Sequence, residues 1–313
     1  MNNLKKIGLT ALAGSLVAST AYAGVLEVTG SAGVKYQSRS GSTGGSTAVQ
    51  GNPWSDSNGI TFSGSGDLDN GMTVGYSYTM TDAAFSASNV TLDMGDSGKL
   101  AFGHDSAHGG IDTIKDKMPT AGEEVWDDIG SGDDAGVTDI GADASIYYSV
   151  SMSGITASAS YARTGVGTDN SVAIVATELV DGAEFGFGTG TDTASNTAEN
   201  DLTTVYAKYT TGPVTVGVQM SEIDKTAANS DIDRDSAAIS FAVNENLSIS
   251  YGISNVEYAS AAKTDAESAG VSASYTMGGM TLAGAMNEVT NMNGSTTAAN
   301  DVEGYEFTLS FAF

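Results

Sequence analysis

The sequence predicts an all-β protein, an antiparallel β-barrel of about 16 strands that crosses a membrane. Three observations carry this reading. Apolar residues alternate with small polar ones at period two from one end of the chain to the other. No stretch beyond the first residues approaches the roughly 20 continuous apolar residues a membrane helix needs. The links between alternating segments are short after every even-numbered segment and mostly long after odd ones, as in a closed, even-stranded barrel with both termini on one side.

The alternation is clearest in "DASIYYSVSMSGITASASYAR" (143–163). Ile146, Tyr148, Val150 and Met152 share one side, and Ile155, Ala157, Ala159 and Tyr161 follow after Ser153-Gly154. Between them stand mostly Ser and Thr, and the chain holds 40 glycines. Such residues are poor material for a dry core, but they suit the inner wall of a water-filled barrel whose apolar face points outward.

Segments of this kind fall at about 25–36, 58–67, 72–81, 84–93, 98–104, 143–152, 155–163, 171–177, 182–188, 202–210, 214–221, 235–243, 247–256, 268–277, 280–288 and 303–313. The eighth and ninth are the weakest, so the even number is firmer than the count. Short turns are "DLDNG", "GDSG", "SG", "LVDG", "TTGP", "NEN" and "GG". Gly-Gly tolerates the positive φ of a tight hairpin, and Pro213 presets one turn dihedral. The link near "TDAA", after the third segment, is the clearest exception, being short after an odd segment. Backbone groups in lipid must be satisfied internally, so the last segment is expected to pair with the first, around Val25 to Tyr36.

The N-terminus predicts export. Lys5 and Lys6 precede a mostly apolar run from Ile7 to Ala18, and Ala21-Tyr22-Ala23 follows. This is the pattern of a signal cleaved after Ala23, which leaves 24–313 as one barrel domain. There is no cysteine, which removes disulfides and thiolate metal sites. With 38 acidic residues against 12 basic ones the formal charge is −26, and the leader holds two of the lysines. Such a chain repels nucleic acid and draws cations.

Several chemistries fail on context. His104 and His108 lie four apart, but where a strand runs into a loop and not on a helix face. "GFGTG" (186–190) lacks the strand, turn and helix of a phosphate loop, and no nucleophile elbow precedes a helix, so no enzyme is expected. A soluble solenoid would need a constant repeat period, and none is present.

The leader, "GITFSGSGDLDNGMTVGYSYTM" (59–80), "GKLAFGHDSAHGG" (98–110) running into a long acidic loop, and the final Phe313 together resemble the general porins of Gram-negative outer membranes, especially the alphaproteobacterial type. The resemblance spans the whole exported chain and rests on the order of short motifs. It implies a homotrimer of sixteen-stranded barrels in the outer membrane, among lipid and lipopolysaccharide, each pore narrowed by an inward-folded third loop. It also implies that the last strand, with Tyr305, Phe307, Leu309, Phe311 and Phe313 on one face, is read by the barrel-assembly machinery.

The longest link, 106–141, follows the fifth segment, where the resemblance puts the constriction loop. Loops longer than about 12–15 residues are usually functional or disordered. Its acids include Asp112, Asp116, Glu123, Glu124, Asp127 and Asp128, which are the candidates to line the narrowest water. "MPTAGEEVW" (118–126) departs from the Pro-containing tip of enterobacterial porins, so the acids at the narrowest point stay open. Parity places Lys35, Arg39 and Lys208 on the inner wall, and more weakly Lys99 and Arg234. Opposed charges across a narrow aqueous gap would order water and dipolar solutes. Asp127, Asp128, Asp133 and Asp134 are carboxylates of the kind calcium takes, although without the spacing of a known calcium loop. The expected function is passive passage of small hydrophilic solutes and ions with weak cation preference. The alternative is a non-conducting barrel serving as anchor or adhesin.

Overall fold

The computed structural model describes residues 24, 26–40, 52–104, 109–125, 137, 145–163, 165, 167–195, 198–296 and 301–313. The strands are β1 (Glu27–Ser40), β2 (Trp54–Asp67), β3 (Thr73–Thr81), β4 (Ala84–Asp93), β5 (Lys99–His104), β6 (Ser145–Met152), β7 (Ile155–Arg163) and β8 (Thr168–Ala176). They continue as β9 (Ala183–Ser195), β10 (Ala198–Thr211), β11 (Val214–Lys225), β12 (Ile232–Ala242), β13 (Leu247–Tyr258), β14 (Ala266–Met277), β15 (Met280–Thr290) and β16 (Val302–Ala312). Each pairs antiparallel with its sequence neighbours, and β16 pairs with β1, so the sheet is a closed barrel. The weak eighth and ninth segments are both strands.

Closure follows from the terminal strand. The register runs from Ser31 opposite Ala312 to Ser40 opposite Glu303. Beyond it, Gly30 and Phe313 exchange backbone hydrogen bonds of 2.7 and 2.9 Å. A Cβ at Gly30 would stand 2.5 Å from the Phe313 ring, so a side chain there would require the ring to move.

Period two sorts the side chains as expected. Ile146, Tyr161, Val172, Val218, Ile253, Met286 and Phe307 are exposed on the outer face. Hydroxyls on the inner face pair across strands: Thr61 with Thr79 at 2.9 Å, Ser160 with Ser171 at 2.7 Å, Ser250 with Ser272 at 2.7 Å. A polar wall that satisfies itself in this way holds its shape without a dry core.

The ends differ in chemistry. On the short-turn side Ser153 and Gly154 both take positive φ, as a two-residue hairpin with the strands' own twist requires. On the loop side the outward positions turn acidic. Asp201 stands opposite Asp224, Glu222 opposite Asp233, and Glu288 opposite Glu303. Like charges directly opposite are unfavourable and cannot lie in hydrocarbon. They therefore mark where the lipid-facing band of β10–β16 ends.

Two expectations are corrected. The link after the ninth strand is only 196–197, because β9 and β10 run past the alternating segment through "TDTAS" and "AEND". Beyond the lipid band both faces of a hairpin can be polar, so the ladder continues where the apolar signal stops. Second, the inner face is not polar throughout. Near the loop end Leu202, Ile223, Ile232, Val256 and Ala266 point inward and are buried with loop residues Ile111, Ile114 and Val137.

The loop against the lumenal wall

The described part of the long loop, 109–125, lies inside the barrel. Gly110 with φ +59° admits the chain beside β8, where a Cβ would stand 2.0 Å from Ser171 Oγ. The N–H of Ile111 donates to Ser171 Oγ at 2.9 Å. Ile111 and Ile114 then fill the apolar patch formed by the inward face of the wall.

Gln219 of β11 is the main tether. Its Oε1 accepts from the Lys117 N–H at 3.0 Å, and its Nε2 donates to the carbonyls of Ile114 and Lys115 at 2.9 and 2.7 Å. Its side chain is 1% exposed, so these bonds stand in for all of its lost water. Farther on, Ala121 N–H donates to Ser250 Oγ at 2.9 Å and Gly122 N–H to Ser272 Oγ at 3.0 Å. Asn287 of β15 donates to Glu123 Oε1 at 2.9 Å. The loop thus crosses the wall from β8 to β15, held by backbone groups against small inward side chains.

The charged candidates separate into groups. Lys35 Nζ lies 2.7 Å from Glu306 Oε2, pairing β1 with β16 across the seam on the inner face. Lys208 Nζ lies 3.1 Å from Glu184 Oε1, and Tyr206 Oη donates to the same oxygen at 2.5 Å. Arg39 lies inward near the loop end of β1, opposite Gly304. Arg234 also points inward but is 1% exposed, so it is closed off from open water.

Of the loop acids, Asp112 sits in the short turn Gly110–Thr113, Asp116 is exposed, and Glu123 and Glu124 are half-buried beside Asn287. Asp127 and Asp128 lie outside the described residues, as do Asp133 and Asp134, so the expectation of calcium falls there too. Among the described residues no group of His, Asp and Glu is placed to hold a metal ion. His104 packs tilted against the Phe85 ring, 5.0 Å between centroids, and His108 is outside the described residues.

Between loop and wall, on the short-turn side, is a cavity of about 590 Å³ lined by Asp116, Lys117, Thr120, Glu184, Lys208 and Thr215 among others. Lys117 titrates below the ordinary lysine range, first because it is desolvated and then because Lys208 repels it.

A closed barrel carrying an inward loop after its fifth strand is the architecture the resemblance implied, and the sequence itself agrees. A family model for Gram-negative porins matches residues 8–312. The chain belongs to that family. This porin is an outer-membrane channel and not an enzyme. No curated protein matches its sequence closely enough to count.

Solved structures share the fold at low identity. A mutant of the Rh. blastica porin superposes with a TM-score of 0.69 at 15% identity, over 92% of this chain and 100% of the other. A loop-deletion mutant of OmpT from Vibrio cholerae gives 0.68 at 13%, covering 93% and 99%. An anion-selective porin from Comamonas acidovorans gives 0.68 at 14%, covering 92% and 99%. A fold this similar on an anion-selective channel means that selectivity in this porin has to be argued from its own residues.

Sequence reasoning found the wall lysines and missed their partners. The signal that could have found them is parity, since Glu306 lies between the outward Tyr305 and Phe307, and Glu184 beside the outward Phe185. Gln219 carries no signal of its own, since an inward glutamine reads as one more lumenal polar group.

Proposed function

We propose that this porin passes small hydrophilic solutes and ions by passive diffusion, with a weak preference for cations. The observation that carries the reading is the loop laid along the wall inside a closed barrel, which narrows the lumen without sealing its short-turn side. Cation preference is supported by charge bookkeeping. The wall lysines Lys35 and Lys208 are each paired with a wall carboxylate, and the inward loop brings four acids, Asp112, Asp116, Glu123 and Glu124, against Lys115 and Lys117. The formal charge of −26 and the two paired wall lysines are what the preference rests on.

Three further assignments belong to this reading. Residues 1–23 act as the cleaved export signal, lying outside the described residues. The outward face of β16, Tyr305 to Phe313, serves as the assembly signal read by the barrel-assembly machinery. The barrel works as a homotrimer among lipid and lipopolysaccharide. Liposome swelling tests the channel: vesicles carrying the protein should swell in isotonic small sugars and stay unchanged in large oligosaccharides. Swelling no faster than in protein-free vesicles would favour the non-conducting anchor.

A further inference from the structure

Four charged side chains border the cavity between loop and wall: Asp116 and Lys117 from the loop, Glu184 and Lys208 from the wall. The strand register builds the wall pair. Glu184 of β9 stands directly opposite Lys208 of β10, and the next inward pair along the same two strands is Gly186 opposite Tyr206. Gly186 leaves the space that the Tyr206 ring fills, since a Cβ there would stand 2.1 Å from the ring. Laid over Gly186, Tyr206 is 2% exposed and turns its hydroxyl back to Glu184 Oε1, the oxygen that also takes Lys208 Nζ. Lys208 Nζ in turn lies 5.6 Å from the centre of the Tyr206 ring, within reach of its π face. The carboxylate of Glu184 is thus held in place by two donors of β10.

That one carboxylate serves two ammonium groups. It bonds Lys208 at 3.1 Å, and it attracts Lys117 of the loop more strongly than Asp116 does, although Asp116 is the chain neighbour of Lys117. The Glu184 side chain is 30% exposed, whereas Asp116 is an exposed loop residue. Water and salt screen a solvated charge, and a fixed, partly desolvated charge beside the passage is felt more strongly by passing ions. With Glu184 removed, the cavity would keep two ammonium groups against a single solvated carboxylate, at the level where the loop narrows the lumen.

We propose that Glu184 is a selectivity-determining residue of this channel: it covers Lys208 and Lys117 and so keeps the narrowing from drawing anions. The proposal rests on the channel reading above. It gives one wall carboxylate a larger share in ion preference than an exposed loop acid of the same formal charge, because only the wall carboxylate is fixed against the lysines.

Reversal potentials of variant channels in planar bilayers, across a gradient of potassium chloride, test this. Glu184→Gln keeps the size of the side chain and an oxygen for Tyr206, and should lower the potassium-to-chloride permeability ratio by about fivefold. Asp116→Asn removes the same formal charge and should lower the ratio by about twofold or less. Lys208→Met should raise the ratio, and Lys208→Met combined with Glu184→Gln should return it close to the wild-type value. Equal shifts in Glu184→Gln and Asp116→Asn would mean that the channel only counts lumenal charges, and would overturn the proposal. An unchanged ratio in a conducting Glu184→Gln channel overturns it too and leaves the channel reading intact. Where Glu184→Gln does not assemble, Lys208→Met decides alone, and an unchanged or lowered ratio overturns the proposal. A wild-type protein without any conductance sinks the channel reading itself.

Discussion

Gln219 shows how one inward polar side chain sets the position of the loop. It bonds the backbone at Ile114, Lys115 and Lys117, so Gln219→Leu strands buried donors and acceptors at a cost of about 1–3 kcal/mol each. The expected outcome is a folded barrel whose current flickers more than the wild type's, measured in single-channel records. Lys117 gives a second prediction at this scale. Its charge is lost at lower pH than that of an ordinary lysine, because the fold disfavours the ammonium. Raising pH toward the ordinary lysine range should therefore neutralise Lys117 ahead of the other lysines and increase cation preference, and Lys117→Gln should lose that early rise. At this scale the sequence was half legible. Parity placed Lys35 and Lys208 inward, whereas the pairing of Lys35 with Glu306 needs the strand register, which parity does not contain.

Among the elements, the loop and the wall fit because the wall is small where the loop is large. A Cβ at Gly217 would meet Pro119 Cδ at 2.6 Å, and one at Gly188 would meet Ile114 Cδ1 at 2.8 Å. Gly217→Leu should push the loop tip away from the wall and into the passage. Conductance should fall in proportion to the narrowing, with no loss of barrel assembly. The strands themselves were legible from period two, since lipid outside and water inside impose opposite chemistry on alternate residues. The upper halves of β9 and β10 were not, because beyond the lipid both faces are wet and "TDTAS" carries no contrast. The inward Leu202, Ile223 and Val256 also escaped, since nothing local distinguishes an apolar residue facing a loop from one facing lipid.

For the whole molecule, closure is the decisive act. The seam between β1 and β16 runs to the Gly30 and Phe313 pair, where the ring occupies the space a side chain at Gly30 would need. Gly30→Leu should block that last pairing and lower the yield of barrel that resists unfolding in detergent, read by its mobility on unheated gels. The seam was visible in the sequence as an apolar strand with no neighbour of its own. The closed wall then carries the account's central claim, a narrowed aqueous passage whose wall lysines are neutralised and whose loop is acidic. The most direct test is the reversal potential of the reconstituted channel across a gradient of potassium chloride, since the two ions move almost equally in water. The sign should favour potassium over chloride. A channel that conducts with the sign favouring chloride would contradict the account.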